Sequence, residues 1–322
     1  MKTLYKALAF CLCIGGLTPT MAQQAAQALP DLGSPAKAQA ARSQAADKVC
    51  IACHDESWPK PLLSIYQTRH GVKGDERTPG CQTCHGESVG HLTKGPGTAP
   101  DVVFNKKGPF EVSDDKTRGA VCMTCHRGKA RTNWDGSQHQ NNQVACNNCH
   151  QVHTPADRVL VKKTQTEVCF TCHAEQRAAS KKISTHPIEA GKVVCSDCHN
   201  PHGSPGPSMV KKNTIIETCF TCHAEKRGPF LFEHQPATEN CANCHAPHGS
   251  NIPPMLISRS PFMCQACHEG SHASATPVGR NAAGNQAGLT GNPSANITGR
   301  GCLNCHSVIH GSNSPTGGYF QR

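Results

Sequence analysis

The chain has 322 residues, of which 36% are hydrophobic and only 4% aromatic. That is too little apolar side chain for a conventional core in a chain of this length. The formal net charge is +10, and 22 cysteines and 20 histidines dominate what is unusual in the composition.

Residues 1–22 read as a secretory signal. Lys2 and Lys6 form a charged start, Ala7–Leu17 is an apolar run too short for a membrane-spanning helix, and Thr20-Met21-Ala22 is a cleavage site. The alternative is a retained anchor. Cys11 and Cys13 lie inside the apolar run rather than after it, which argues against lipidation. No transmembrane helix is expected. Residues 23–48, rich in Ala and Gln, read as a flexible leader or a marginal helix.

From residue 49 onward one pattern governs the chain. Cys-x-x-Cys-His occurs at Cys50/Cys53/His54, Cys81/Cys84/His85, Cys122/Cys125/His126, Cys146/Cys149/His150 and Cys169/Cys172/His173. It recurs at Cys195/Cys198/His199, Cys219/Cys222/His223, Cys241/Cys244/His245, Cys264/Cys267/His268 and Cys302/Cys305/His306. Composition alone yields roughly 0.1 such motifs by chance. The two thiols of C-x-x-C-H add to the vinyl groups of one porphyrin, and the histidine becomes an axial iron ligand. Paired cysteines also bind structural zinc or form disulfides. Neither use explains a histidine after every second cysteine. The reading is ten haem c groups, each with its iron.

Ten histidines lie outside the motifs: His70, His91, His139, His153, His186, His202, His234, His248, His272 and His310. One spare histidine per motif suggests six-coordinate iron with two imidazoles throughout. Only Met123, Met209, Met255 and Met263 follow the signal. Methionine ligation, which raises potential, is therefore not expected, and potentials should be low.

Motif and spare histidine alternate so that a two-haem module recurs five times, at about 50–91, 122–153, 169–202, 219–248 and 264–310. EVCFTCHAEQR at 167–177 matches ETCFTCHAEKR at 217–227, and HNPHGS at 199–204 matches HAPHGS at 245–250. Such repeats extend a structure in one direction. The predicted fold class is a multihaem cytochrome c, mostly loops with short α-helices and little or no sheet. Residues 49–322 would form one decahaem electron-transfer domain, an elongated haem wire. Short helices are expected over Cys169–Lys182 and Cys219–Arg227, and loops over Leu92–Gly119 and Thr154–Thr166. The Gly/Asn/Ala/Ser-rich stretch 273–301 reads as a loop or a docking surface.

Without the signal, 30 Lys and Arg face 22 Asp and Glu, a balance of +8. Ten haems bring about −20 from propionates and about +10 from ferric iron. The basic balance is thus no nucleic-acid footprint. The charge change on reduction predicts pH-dependent potentials in some haems.

The chain resembles the MtrA/MtoA/DmsE-type decahaem cytochromes over essentially all of its length after the signal. The stretches that carry the resemblance are CSDCHNPHGS at 195–204, CHAEKRGPFLFEH at 222–234, ENCANCHAPHGS at 239–250 and GCLNCHSVIHGSN at 301–313. The resemblance implies a protein held in an outer-membrane β-barrel porin. It would carry electrons between periplasmic cytochromes and an extracellular acceptor or donor, such as iron oxides, a sulfoxide reductase, ferrous iron or a surface multihaem cytochrome. It also implies N-terminal haems facing the periplasm.

Three functions compete. An electron conduit needs no catalysis, and ten doubly ligated irons leave no substrate position. A multihaem reductase needs an open iron, and all ten motifs end in His. A free periplasmic shuttle is the third. The conduit is the preferred reading. Among ligands, His153, His202, His248, His272 and His310 sit too close to their own motif histidine to round the porphyrin edge. Exchange within each module then pairs His54 with His91, His85 with His70, His126 with His153, and His150 with His139. It further pairs His173 with His202, His199 with His186, His223 with His248, His245 with His234, His268 with His310, and His306 with His272.

Overall fold

The computed structural model describes residues 47–55, 57, 62–71, 78–260, 262–268, 302–315 and 320. The signal, most of the leader, His272 and the stretch 273–301 lie outside the described residues.

The described chain is loop, punctuated by helices of one to two turns. The longest is Asp115–Met123, at nine residues. No helix among the described residues is long and apolar enough to cross a membrane. Among the described residues strand pairing is limited to four isolated antiparallel bridges: Ser184 with Ser250, His199 with Val210, Phe232 with Ser312, and His245 with Leu256. Among the described residues only Val102, Val103, Trp134, Ala145, Val194, Val210 and Leu256 form a buried apolar set. Burying one such side chain is worth about 1.5–3 kcal/mol. That offsets the ordering of only one or two backbone residues at about 1–2 kcal/mol each. The loops need another source of cohesion, as the sparse aromatic content anticipates.

Each helix is placed by local chemistry. Asp114 caps Asp115–Met123 by accepting from Thr117 N at 2.8 Å. Thr214 accepts from Glu217 N at 3.2 Å and starts Ile215–Cys219. Two sequence expectations shift here. The helix expected over Cys169–Lys182 divides into Lys162–Cys169 and Ala174–Ala179. That expected over Cys219–Arg227 divides into Ile215–Cys219 and a 3-10 turn at Ala224–Lys226. In both, the helix delivers the first cysteine from the N-terminal side and breaks across the motif. The expected loops are correspondingly shorter, because Val89–Lys94 and Asp115–Met123 enter the first and Lys162–Cys169 enters the second.

Candidate metal centres

Every motif is one helical turn. The histidine N–H donates to the carbonyl of the first cysteine at 2.9–3.0 Å at His54, His126, His150, His173, His199, His223, His245, His268 and His306. Cys81–His85 is itself a helix of five residues. Positions i, i+3 and i+4 share one helix face. Both thiols and the imidazole therefore face one side, as attachment to a single porphyrin requires.

The spare histidines come to meet the motif histidines. An imidazole binds a metal at about 2 Å, so two rings trans on one iron have centroids roughly 6 Å apart. Among the described residues nine pairs sit at that separation. His54 faces His91 at 6.0 Å, His85 faces His153 at 6.3 Å, and His126 faces His70 at 5.9 Å. His150 faces His202 at 6.0 Å, His173 faces His139 at 6.1 Å, and His199 faces His248 at 6.1 Å. His223 faces His186 at 6.3 Å, His245 faces His310 at 6.1 Å, and His268 faces His234 at 6.0 Å.

The rings are also oriented for ligation. Nδ1 is bonded to a backbone carbonyl at His85 (Val102), His91 (Thr98), His139 (Pro201), His153 (Leu62), His186 (Pro247), His199 (Ser208) and His245 (Pro254), at 2.6–3.1 Å. An acceptor at Nδ1 fixes the proton there and leaves Nε2 as the metal-binding nitrogen. Burial first, and then the facing His150, push His202 down to about 4. The ring is neutral, as a ligand must be. The residues fit bis-histidine haem c.

The pairing corrects the expected exchange within modules. Of the described pairs, only His54 with His91 follows that scheme. His70 faces His126, not His85; His153 faces His85, not His126; His139 faces His173, not His150. His202 faces His150, not His173; His186 faces His223, not His199; His248 faces His199, not His223. His234 faces His268, not His245, and His310 faces His245, not His268. The pairing of His306 with His272 lies outside the described residues. The short-reach argument is respected throughout: no described pair joins a motif histidine to the spare histidine three or four residues after it.

The rule that replaces the scheme is exchange between successive modules. In the first four modules the first spare histidine serves the first motif of the next module. From the second module on, the second spare histidine serves the second motif of the module before, and His91 of the first module stays with its own His54. The scheme failed because it ranked ligands by sequence distance. Folding brings together segments far apart in sequence: Pro201 accepts from His139 across 62 residues and Pro247 from His186 across 61. At each of these junctions, the carbonyl just before one spare histidine orients the other. Gly203 (φ +99°) and Gly249 (φ +125°) let the following backbone pass. An added Cβ would overlap the Asn133 carbonyl at the first and the Ala179 carbonyl at the second.

The centres form an unbroken series. The first cysteines lie side by side in pairs: Cys50 with Cys81, Cys122 with Cys146, Cys169 with Cys195, Cys219 with Cys241 and Cys264 with Cys302. Between these contacts, the second cysteines are neighbours: Cys84 of Cys125, Cys149 of Cys172, Cys198 of Cys222, and Cys244 of Cys267. Successive motifs thus meet alternately by first and second cysteine.

The twenty motif cysteines differ in their enclosure. Every first cysteine is half-buried. The second is exposed at Cys53, Cys125, Cys172, Cys198, Cys222, Cys267 and Cys305, and half-buried only at Cys84, Cys149 and Cys244. The cause is position in the turn. The first cysteine packs against the first cysteine of the paired motif, and the second lies three residues further on, towards solvent. Cys53 and Cys305 belong to the first and last motifs, which join the series through Cys50 and Cys302. Exposure does not disturb their turns: Cys53 N donates to Cys50 O at 3.2 Å and Cys305 N to Cys302 O at 3.1 Å.

The doubled CXXCH motif family matches residues 186–228 and 234–273, and the NrfB-like cytochrome c-type family matches 81–163. The multiheme cytochrome MtrA of Shewanella baltica (strain OS185) is 44% identical over 278 residues, covering 85% of this chain and 80% of that protein. The chain belongs to the MtrA family of multihaem c-type cytochromes. As a family member it binds haem c covalently and transfers electrons; it is not an enzyme.

Within this MtrA-family chain the ring planes alternate from His126 to His245; outside that run the angles are 26° at His54/His91, 41° at His85/His153 and 20° at His268/His234. The angle is 73° at His126/His70, 9° at His150/His202, 69° at His173/His139, 23° at His199/His248, 50° at His223/His186 and 12° at His245/His310. Near-parallel imidazoles split the iron d orbitals that carry the unpaired electron and give rhombic low-spin spectra. Near-perpendicular imidazoles leave those orbitals nearly degenerate and give highly anisotropic ones. The sequence carried no sign of this alternation. Nor did it single out Asp157, which takes the Nδ1 position at His150. The repeated His-Gly-Ser at 202–204, 248–250 and 310–312 was a usable signal for the inter-module crossings.

Proposed function

We propose that the chain is a decahaem conduit that passes electrons in motif order, from the centre at Cys50/Cys53 to that at Cys302/Cys305 or the reverse. The observation that supports it best is the nine histidine pairs at iron-spanning distance, joined by alternating cysteine contacts from the first motif to the last. Haem c supplies a one-electron couple at each iron. The protein's part is to hold both imidazoles still. Nδ1 anchors fix the rings, and exchanged ligands fix each module against its neighbours. His272 is the spare histidine left for His306, completing ten pairs. Residues 49–322 would be the electron-transfer domain, 1–22 an export signal and 23–48 a leader. Interlocked ligands make the five modules one unit rather than five.

Haem c is attached outside the cytoplasmic membrane, so the chain would act from the periplasm. Membership of the MtrA family supports an outer-membrane β-barrel partner whose polar lumen insulates the haems from lipid. Periplasmic cytochromes would exchange electrons at one end, and an extracellular acceptor or donor at the other. Protease added to intact cells should reach only the C-terminal end. Uniform digestion would favour a free periplasmic shuttle.

The cofactor load has its own test. The intact mass of the mature protein should exceed that of the bare chain by ten haems, and the oxidised protein should be entirely low-spin. A native high-spin iron in stoichiometric amount would instead support a reductase.

A further inference from the structure

The second motif histidine of each of the first four modules offers its Nδ1 to one acceptor. At His85, His199 and His245 the acceptor is a backbone carbonyl, from Val102, Ser208 and Pro254. At His150 it is the Asp157 carboxylate, with Oδ2 at 2.7 Å. Between described residues the next approach of a carboxylate to a ring, His223–Glu225, is 3.7 Å, with both side chains more than half exposed. The Asp157 side chain is only 14% exposed. Its Oδ1 receives Gln151 N and Val159 N, both at 3.4 Å, and it caps the turn Arg158–Leu160. The carboxylate is thus held in place by the backbone on both sides of the ring it meets.

We propose that Asp157 is a positioning residue that lowers the reduction potential of the haem attached at Cys146 and Cys149, making the fourth centre a low step inside the conduit. This rests on the ligand assignment of the proposed function. A carbonyl and a carboxylate both orient the ring. Only the carboxylate brings a full negative charge to the Nδ1 proton, increases electron donation from Nε2 and favours ferric over ferrous iron. Lowering dielectric around the half-buried pair strengthens the effect. The exchange itself is one electron: the iron at His150 is reduced as that of an adjacent haem is oxidised. The proton stays on His150 Nδ1 and no bond forms or breaks. Arg118, buried and bonded to Asn147 Oδ1 at 2.9 Å and Asn148 Oδ1 at 3.3 Å in the same motif, acts in the opposite sense. A difference measurement at Asp157 removes that contribution.

The test is a redox titration of the full-length holoprotein, followed by electron paramagnetic resonance, for wild type, Asp157→Asn, Asp157→Ser and Asp157→Glu. Serine caps a turn about as well as aspartate, so that variant keeps the local fold if asparagine does not. In the Asn and Ser variants one rhombic component should move to more positive potential, with the others unchanged. The expected size is about tenfold in the ferrous-to-ferric ratio at fixed potential, or about 59 mV for a one-electron couple. Glutamate should restore part of the shift. Unchanged potentials in a fully low-spin Asn or Ser variant would overturn the role of Asp157 alone. A high-spin iron in the wild-type protein would overturn the ligand assignment beneath it.

Discussion

His202→Ala should open one iron, and that iron should be the one held by His150. His202 and His150 are 6.0 Å apart with ring planes 9° from parallel. Removing His202 leaves the Cys146/Cys149 haem with one imidazole, because no spare histidine is left over elsewhere. The oxidised variant should show one high-spin iron, and the reduced variant should bind one equivalent of carbon monoxide where wild type binds none. Ring geometry says which iron it is. The low-spin signal lost should be rhombic, from the near-parallel pair. Exchange within modules would instead have placed His202 on the iron of His173, whose actual partner His139 lies at 69°. Loss of a highly anisotropic signal in His202→Ala would refute the interlocked pairing. His139→Ala is the complementary variant and should remove an anisotropic signal.

The attachment sites were legible in the sequence because they are local chemistry. Five consecutive residues carry both thiols and one ligand, and a single hydrogen-bonded turn gives them one face. The poverty of regular structure was legible for the same reason: a chain with few aromatics and 23 prolines cannot build large layers. Ligand pairing was not legible. It depends on which face of one repeat meets the next, and the repeats are too similar for sequence distance to decide. His153 shows the difficulty. Its Nδ1 is bonded by Leu62 O, 91 residues away, and no local pattern around either residue announces the other. The helices were displaced rather than missed. Thr214-Ile-Ile-Glu217 is a helix-start signature one turn before Cys219, and weighing it would have put the helix on the correct side of the motif.

Gly249→Ala should do the widest damage of any single methyl addition at the junction of the third and fourth modules. Gly249 has φ +125°, a region that costs an alanine about 1–3 kcal/mol. Its new Cβ would also overlap the Ala179 carbonyl oxygen and stand 2.6 Å from Thr185 Cγ2. The first contact cannot be relieved by turning a side chain, because it is backbone. The segments forced apart carry ligands on both sides. Ser250 and Ser184 exchange backbone hydrogen bonds at 2.9 Å, the Pro247 carbonyl orients His186, and His248 faces His199. Opening this junction therefore loosens His248 opposite His199 and His186 opposite His223, two centres that are adjacent in the series. The expected result is up to two carbon monoxide-binding irons in the reduced protein, a lower unfolding temperature and an interrupted conduit. Gly97→Ala is the control, since nothing lies within 4 Å of a Cβ there; it should leave spin state and stability unchanged. A fully low-spin Gly249→Ala protein with wild-type stability would show that the close passage at Gly249 does not hold the two ligands in place.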